Sequence, residues 1–320
     1  MTRGQQIKVL SQLYRTCTTK RIIIPDDPNI KSDYIDDNNV GYSGATVIEP
    51  KKGYYTEPIT TLDFASLYPS IIIAHNLCYT TIIKRNKIQG MDERHFTVSP
   101  NNDQDVFVKK TIRMGILPEI LKKLLCERRK VKKLMIELMA QDEIDYHLYK
   151  IYDGRQKALK ITANSVYGFT GFKKGALPHL GISAAVTSFG REMINSTKRF
   201  IESHYNKKNG FYCDVQVIYG DTDSVMIKLG SALDKVTISQ AITIGKEIAS
   251  NVTSTLFIKP IKLEFEKVYQ PYLLMNKKRY AGMLWTQPSR WDYMDTKGIE
   301  TVRRDNCKFC LLYTSDAADD

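Results

Sequence analysis

The sequence lacks the long apolar run that a membrane-spanning helix requires. Its longest run lies around residues 71–74, Ile-Ile-Ile-Ala, far short of the roughly 20 residues that cross a bilayer. The first residues, Met-Thr-Arg-Gly-Gln-Gln, also lack the apolar segment of a signal peptide. We therefore expect a soluble chain that is not secreted and that has no membrane partner.

Cysteine and histidine are few, and their spacing excludes several kinds of site. The six cysteines show no paired zinc spacing, and the single C-x-x-C joins Cys307 to Cys310, which favours reduced thiols in the cytosol or nucleus. The five histidines form no H-E-x-x-H motif and no Ser-His-Asp arrangement. The sequence also has no G-x-x-x-x-G-K-[ST] motif, which argues against a P-loop ATPase.

Basic residues outnumber acidic ones. The 320 residues include 47 Lys and Arg against 35 Asp and Glu, a formal net charge of +12, and 42% are hydrophobic. This composition can supply a core and suits a surface that meets polyanions. By itself it is equally compatible with an ordinary solvated surface, so the motifs must decide.

The hydrophobic periodicity alternates between helix and strand and predicts an α+β fold. A polar loop is expected over residues 26–42, and residues 118–139 and 143–167 are expected to form an antiparallel helical hairpin. The other helices are predicted over 1–20, from 66 onward, 184–205 and 239–257. The strands are predicted over 60–64, 215–219, 224–228, 261–265 and 280–285.

Two aspartates lie at the tip of the clearest predicted hairpin. Asp221 and Asp223 flank Thr222, and their mutual repulsion calls for neutralisation by a cation or a basic group. Asp63 stands at another predicted strand end, so three carboxylates are available for a divalent metal in phosphoryl transfer. As an isolated motif, Asp-x-Asp more often satisfies the backbone of a turn.

A polar stripe is predicted along the second helix of the hairpin. Gln156, Lys160 and Asn164 recur every four residues and therefore share one helix face. Arg128 and Lys132 repeat that spacing on the preceding helix, and the two edges together suit a triphosphate. A solvated face is the alternative. Lys277-Lys-Arg-Tyr280, at a predicted strand start, suits a nucleic-acid backbone.

Three motifs in this order resemble those of family B DNA polymerases. They are Asp63-Phe-Ala-Ser-Leu-Tyr-Pro-Ser-Ile71, the run from Lys160 to Gly168, and Tyr219-Gly-Asp-Thr-Asp-Ser224. The resemblance runs from near residue 1 to about Cys307. Five further segments are similar to a eukaryotic cellular replicative member of the family: Arg3–Leu10, Gly44–Pro50, Ala74–Thr81, Lys277–Gly282 and Lys297–Asn306.

The resemblance implies roles for individual residues. Asp63 and Asp223 would bind two Mg²⁺ ions with the Phe64 carbonyl, Asp221 would support them, and Glu264 and Glu266 match acidic positions for an auxiliary metal. The implied nucleotide site comprises backbone N–H groups of Ser66 and Leu67, the ribose filter Tyr68, the phosphate-binding Arg128, Lys132, Lys160 and Asn164, and Tyr167 and Gly168 near the nascent base pair. The implied DNA contacts are Lys277, Lys278, Arg279 and Tyr280, with Lys278 at the minor groove.

The resemblance also implies a division of the chain into a palm with an antiparallel sheet and a helical-hairpin fingers domain. Residues 1–81 would be palm, 82–166 fingers, and 167–309 palm with the start of the thumb connection. Residues 310–320 back-translate to a sequence like a transposase-type sequencing adapter, and we interpret them as non-native. The family's exonuclease domain, most of its thumb and its cysteine-rich iron–sulfur or zinc module are expected to be absent, so proofreading is not assigned.

The function expected from the resemblance is template-directed DNA synthesis in the nucleus. Primer-template DNA and dNTPs would be the substrates, while a sliding clamp and accessory subunits would bind regions outside this chain. We expect the isolated segment to have weak activity or none. Two alternatives stay open: a large-DNA-virus replicase of the same family, acting in the cytosol or a viral factory, and a non-catalytic DNA-binding scaffold.

Overall fold

A computed structural model of the chain describes residues 2–24, 44, 47–100, 102–231, 233–300 and 307. The predicted loop at 26–42, Cys310 and the tail at 310–320 lie outside these residues. The chain forms two compact units, and each is discontinuous in sequence. The first unit comprises residues 1–45 and 66–190, and the second comprises residues 46–65 and 191–320.

The described residues contain six α-helices and eleven strands. The helices are α1 Thr2–Thr19, α2 Leu67–Ala74, α3 Ile116–Met139, α4 Tyr146–Gly171, α5 Leu180–His204 and α6 Ile238–Leu256. The strands are β1 Val47–Ile48, β2 Gly53–Tyr55, β3 Ile59–Phe64, β4 Ile82–Lys84, β5 Phe96–Ser99, β6 Asn102–Val108, β7 Val215–Asp221, β8 Ser224–Leu229, β9 Leu263–Asn276, β10 Arg279–Trp285 and β11 Tyr293–Lys297. Short 3₁₀ turns lie at Arg85–Ile88, Glu93–His95 and Lys207–Asn209. None of the described helices combines the length and apolar character that crossing a membrane demands.

The predicted helical hairpin is present in the first unit as α3 and α4. In α3 the buried residues Leu121, Val131 and Leu138 recur at helical spacing and form one apolar face. The side chain of Asp145 caps α4 by accepting a hydrogen bond from the Leu148 N–H at 2.9 Å. A link of only six residues joins the two helices, residues 140–145, so they run antiparallel as neighbours.

Residues 82–108 form a small antiparallel sheet of order β4-β6-β5. The helical part of the segment predicted as 82–166 therefore begins only at Ile116. No pattern in the sequence predicted this sheet, because its strands are short and mix charged residues with apolar ones.

The second unit is built on a large antiparallel sheet of order β1-β7-β8-β3-β9-β10-β11, with β2 also paired to β9. Strand β9 begins two residues later than predicted and extends to Asn276. One face of the sheet contacts α6, where the Thr60 hydroxyl donates to the Ala241 carbonyl at 3.4 Å. Gly245 permits this approach, since a Cβ there would lie 2.6 Å from Thr60 Cγ2.

The opposite face of the sheet carries a buried cluster rich in tyrosine. Tyr219, Tyr269 and Tyr272 are at most 1% exposed and pack with Ile59 and Met226. The rings of Tyr269 and Tyr272 are stacked with their centroids 5.1 Å apart. Burial of these large rings from several strands supplies much of the apolar area that stabilises the sheet.

A buried carboxylate joins the strands at this end of the sheet. Asp295 is 3% exposed, and it accepts hydrogen bonds from the Tyr269 hydroxyl and the Lys297 ammonium, both at 2.5 Å. Lys267 Nζ lies 3.5 Å from the same carboxylate. Burial alone raises the pKa of Asp295, but the hydrogen bonds from Lys297 and Tyr269 and the nearby lysine charges bring that pKa below its ordinary value.

This network predicts a pH-dependent cost for Asp295→Asn. Because the folded-state pKa lies below the ordinary value of about 3.9, the ionised carboxylate contributes fully to stability above that value. Its contribution is lost as the pH falls through the folded-state pKa. At pH 7 we expect the variant to lose about 3–5 kcal/mol of unfolding free energy, as for a broken buried ion pair.

The measurement is urea unfolding of the chain and its variant from pH 7 down to pH 3. The difference in unfolding free energy should shrink as the pH falls below 4. Asp142→Asn, at an exposed position, is the matched control and should change stability by less than about 0.5 kcal/mol. A cost that stays constant across this range would show that the charge of Asp295 does not carry the effect.

Candidate active site

Strand pairing in the second unit brings Asp63 and the Asp221–Asp223 hairpin together. Ser224 at the start of β8 is the Cα partner of Asp63 on β3 and also of Asp221 on β7. Directly paired residues of antiparallel strands point to the same face of a sheet. Asp63 and Asp221 therefore share a face, with their α-carbons about 10 Å apart across two strand spacings.

The hairpin tip holds Asp223 close to the end of β3. Thr222 takes a left-handed backbone conformation, with φ of 58°, and the Asp223 N–H donates to the Asp221 carbonyl at 2.6 Å. The Phe64 N–H donates to the Asp223 carbonyl at 2.8 Å. The backbone of the residue after Asp63 is thus bonded directly to Asp223, which fixes the two carboxylate-bearing segments side by side.

The side chains around Asp63, Asp221 and Asp223 are of the kinds that bind a divalent cation. Within the described residues, no group of three or more His, Cys, Asp or Glu side chains is arranged to hold a metal ion. The carboxylate of Asp221 is instead neutralised by Lys278, whose Nζ lies 2.9 Å from Oδ1, and it also accepts the Thr222 hydroxyl at 3.1 Å. Carboxylate oxygens on one sheet face are still the donors that Mg²⁺ prefers, so the residue types fit.

The other predicted metal ligands lie near the end of β3 that carries Asp63. Glu264 is the Cα partner of Asp63 on β9 and pairs with Lys262 at 2.7 Å. Glu266 is exposed and pairs with Lys267 at 3.4 Å. Phe64 ends β3, and its ring packs edge-on against Phe257 with centroids 5.4 Å apart. Asp63 and Ile59 share a strand face by alternation, so the carboxylate lies on the face of the tyrosine cluster.

The turn between β9 and β10 places Lys278 at the carboxylates. Lys278 has φ of 58°, and its N–H donates to the Tyr219 hydroxyl at 2.8 Å. Gly298 packs against this turn, since a Cβ there would lie 2.1 Å from the Lys278 carbonyl oxygen. The backbone of Lys278 is therefore held by β7, by the turn itself and by the residue after β11.

The other three predicted DNA-binding residues differ in their surroundings. Lys277 and Arg279 form ion pairs with Glu49 and Glu300, the latter at 2.9 Å. Tyr280 is partly buried, and its ring centroid lies 5.6 Å from that of Tyr272. The two lysines are exposed at the turn, whereas Tyr280 packs into the tyrosine cluster beneath them.

In the first unit, α2 begins at the residues predicted to bind phosphate. Ser66 is the N-cap residue, with φ of 51°, a left-handed conformation that is uncommon outside glycine. The first N–H groups of a helix have no acceptor within it, which makes this end suitable for an anion. The Tyr68 ring packs against Tyr167 with centroids 4.4 Å apart, so two residues predicted for one nucleotide site do meet.

The stripe on α4 is present as predicted. Gln156, Lys160, Asn164 and Tyr167 follow one another at helical spacing, and Lys160 and Asn164 are exposed. Gly168 is an exposed residue inside α4, which ends at Gly171. Gly168 is thus part of the helix rather than its C-terminal cap.

The two basic residues of α3, Arg128 and Lys132, lie beside Gln156 of this stripe. The Arg128 Nε donates to Gln156 Oε1 at 3.3 Å, joining α3 to α4. Lys132, one turn further along α3, is exposed and lines with Gln156 a cavity of about 450 Å³. The burial of Arg128 lowers the pKa of its guanidinium. Arg128 and Lys132 of α3 therefore both lie beside Gln156 of α4.

Two participants were missed as site residues in the sequence. Tyr219 precedes the aspartate pair and was quoted only as part of a motif, although its hydroxyl holds Lys278. Gln156 was predicted only as a member of the polar stripe that suits a triphosphate, and its contact with Arg128 was not predicted. A signal existed for Gln156, since its amide is polar on a helix face otherwise occupied by predicted ligands. The pairing of Tyr219 with residue 278 has no signal in the local sequence.

Comparison with known proteins identifies the class. The sequence model of DNA polymerase family B matches residues 1–319, and the chain belongs to that family. Polymerases of this family use divalent metal ions. The three motifs on which the resemblance rested are therefore confirmed as signs of family membership.

Curated proteins similar to the chain include DNA polymerase delta catalytic subunits. The chain is 55% identical to that of Candida albicans over 310 residues, 52% to that of Drosophila melanogaster over 312 residues, and 51% to that of Schizosaccharomyces pombe over 321 residues. These alignments cover 96%, 96% and 99% of the chain but only 28%, 27% and 28% of the relatives. The chain thus spans a little over a quarter of the length of the proteins it matches.

The anchoring of Lys278 predicts the effect of Tyr219→Phe. The ring is fully buried and would stay in place, but the Lys278 N–H would lose its acceptor. We expect a loss of about 1–2 kcal/mol in unfolding free energy, measured by urea unfolding. An N–H group left without an acceptor costs more free energy than the hydrogen bond itself contributes. Tyr54→Phe is the control: its ring is 65% exposed, and the change should be within about 0.5 kcal/mol. Equal stability of Tyr219→Phe and the unaltered chain would contradict this anchoring.

Proposed function

We propose that this chain is the palm and fingers segment of a replicative DNA-directed DNA polymerase of the delta type. The observation that carries the proposal is the shared sheet face of Asp63 and Asp221, with Asp223 bonded through its backbone to the end of β3. Family membership and the names of the relatives support the assignment. The reaction would add a dNTP to a primer 3′-hydroxyl, with primer-template DNA as the second substrate.

The proposed cofactors are two Mg²⁺ ions. Asp63 and Asp223 would hold them with the Phe64 carbonyl, Asp221 would support the site, and Glu264 and Glu266 would serve an auxiliary ion. When bound, the ions would activate the primer hydroxyl and stabilise the charge on the leaving pyrophosphate. Lys278 meets Asp221 in this structure, and we propose that its ammonium moves to the minor groove of bound DNA, beside Lys277 and Arg279, with Tyr280 supporting the turn.

The chain's own residues would bind and select the nucleotide. The α2 N-terminus, through the N–H groups of Ser66 and Leu67, would accept the triphosphate. The other proposed phosphate ligands, all on the helical hairpin, are Arg128, Lys132, Lys160 and Asn164. The Tyr68 ring, packed on Tyr167, would lie under the deoxyribose and exclude a 2′-hydroxyl by contact, while Gly168 would leave room beside the nascent base pair.

The division into subdomains is part of the proposal. Residues 1–81 and 167–309 would form the palm, and 82–166 the fingers. The thumb and exonuclease domains, a metal-binding cysteine module, and the surfaces for a sliding clamp and accessory subunits would belong to other parts of the whole protein. Because the relatives are replicative subunits of eukaryotes, we expect the nucleus as the location.

The metal-site proposal predicts the outcome of Asp223→Asn in the full-length enzyme. Removing one carboxylate charge should lower kcat for primer extension by about 100-fold or more, because charge stabilisation supplies most of the catalysis. Affinity for primer-template DNA, measured by fluorescence anisotropy, should change by less than about threefold.

Asp142→Asn is the matched control, an exposed aspartate on the hairpin turn, and it should keep full activity. Unchanged primer extension by Asp223→Asn would refute the ligand role of Asp223. If neither the unaltered enzyme nor the variant extended the primer, the result would favour the alternative of a non-catalytic DNA-binding scaffold.

The sugar-filter proposal predicts the outcome of Tyr68→Ala. Removing the ring should raise the kcat/KM for ribonucleotides relative to deoxyribonucleotides by about 100-fold, since a steric clash with the 2′-hydroxyl is lost. Tyr68→Phe keeps the ring and should retain the original preference. The measurement is single-nucleotide incorporation with paired dNTP and rNTP substrates, and an unchanged ratio in Tyr68→Ala would remove Tyr68 from this role.

A further inference from the structure

The side-chain amide of Gln156 links two charged groups of the helical hairpin. Its Oε1 accepts from Arg128 Nε at 3.3 Å, and its Nε2 donates to Asp153 Oδ1 at 2.9 Å. A guanidinium can only donate, and an ionised carboxylate can only accept. The amide therefore has one orientation that satisfies both partners, with its oxygen toward Arg128.

The bond to Gln156 uses one of the five N–H donors of Arg128. Within the part of the chain that the structure describes, no carboxylate forms an ion pair with this guanidinium. Asp153, the nearest acidic residue in the chain of hydrogen bonds, pairs with Lys157 at 2.6 Å instead. Arg128 thus keeps an uncompensated positive charge and its terminal N–H groups, the pair that binds phosphate in bidentate fashion.

We propose that Gln156 is a positioning residue for nucleotide binding, which holds the Arg128 guanidinium by Nε so that its terminal N–H groups bind an incoming triphosphate. The inference rests on the proposed function, in which Arg128 contacts the triphosphate. It adds a residue from the partner helix that acts only through Arg128.

Two features of the surroundings explain why an amide suits this position. A neutral acceptor orients the arginine without cancelling its charge, whereas a carboxylate would form a strong ion pair and compete with phosphate. Burial also lowers the pKa of Arg128, so the charged form has lost part of its hydration and gains more from an anion.

The test uses the full-length enzyme with Gln156→Met and Gln156→Glu. Methionine keeps the length of the side chain but cannot anchor Arg128, and glutamate should bind it too tightly. Both variants should raise the KM for dNTPs about 5- to 20-fold, with kcat within about twofold. The dissociation constant of a dNTP from the enzyme bound to a dideoxy-terminated primer should rise by the same factor. Gln141→Met, at an exposed position, is the control and should leave both values unchanged.

A double-mutant cycle with Arg128→Ala separates positioning from helix packing. In the Arg128→Ala background, Gln156→Met should change dNTP affinity by less than about twofold, because the residue through which it acts is gone. Equal losses in both backgrounds would overturn the proposal. So would a lowered thermal unfolding midpoint with unaltered dNTP affinity, which would show that Gln156 only joins the helices.

The cycle also distinguishes the proposed phosphate contact of Arg128 from the proposed positioning role of Gln156. If Arg128→Ala raises the KM for dNTPs but the Gln156 variants do not, the positioning role fails and the phosphate contact of Arg128 stands. If Arg128→Ala leaves dNTP affinity unchanged, the phosphate role of Arg128 fails and the positioning role fails with it.

Discussion

The antiparallel pairing of β7, β8 and β3 is the constraint on which the candidate active site depends. Ser224 pairs with both Asp63 and Asp221, so hydrogen bonds of the backbone bring together carboxylates that are far apart in the sequence. A shift of one residue in either pairing would turn a carboxylate to the other face, where α6 packs. The buried tyrosine cluster opposes such a shift because it packs together side chains of β3, β7 and β8, among them Ile59, Tyr219 and Met226.

The same sheet also sets the charge balance around the carboxylates. Lys278 reaches Asp221 because the Tyr219 hydroxyl, on the strand that leads to the aspartates, binds the backbone of its turn. The cation and the carboxylate are thus held by one pair of contacts between β7 and the β9–β10 turn. In the other unit, an analogous arrangement on the helical hairpin holds Arg128 with a neutral amide and leaves its charge uncompensated. The charge of Asp221 is thus neutralised by Lys278, whereas the charge of Arg128 is left without a counter-charge.

Much of this could be predicted from residue patterns. The strand before Asp63, the β-hairpin at 221–223 and the hairpin of α3 and α4 were predicted because each has a strong local period and clear turn residues. The β4-β6-β5 sheet and the extension of β9 to Asn276 were not predicted. Short strands with mixed polarity carry little periodic signal, and the length of β9 depends on its partners β2, β3 and β10.

The sequence by itself determined the family, the order of the motifs and the residue types of the site, because these depend on local chemistry and on spacing along one helix or strand. The tertiary structure alone decided which side chains meet: Lys278 with Asp221, Tyr68 with Tyr167, and Arg128 with Gln156. Each of these pairs joins two different elements of the fold, and the distance between the paired side chains is fixed by sheet register or helix packing, which no local pattern encodes. The palm and fingers assignment and the role of each ligand stay predictions that the proposed experiments address.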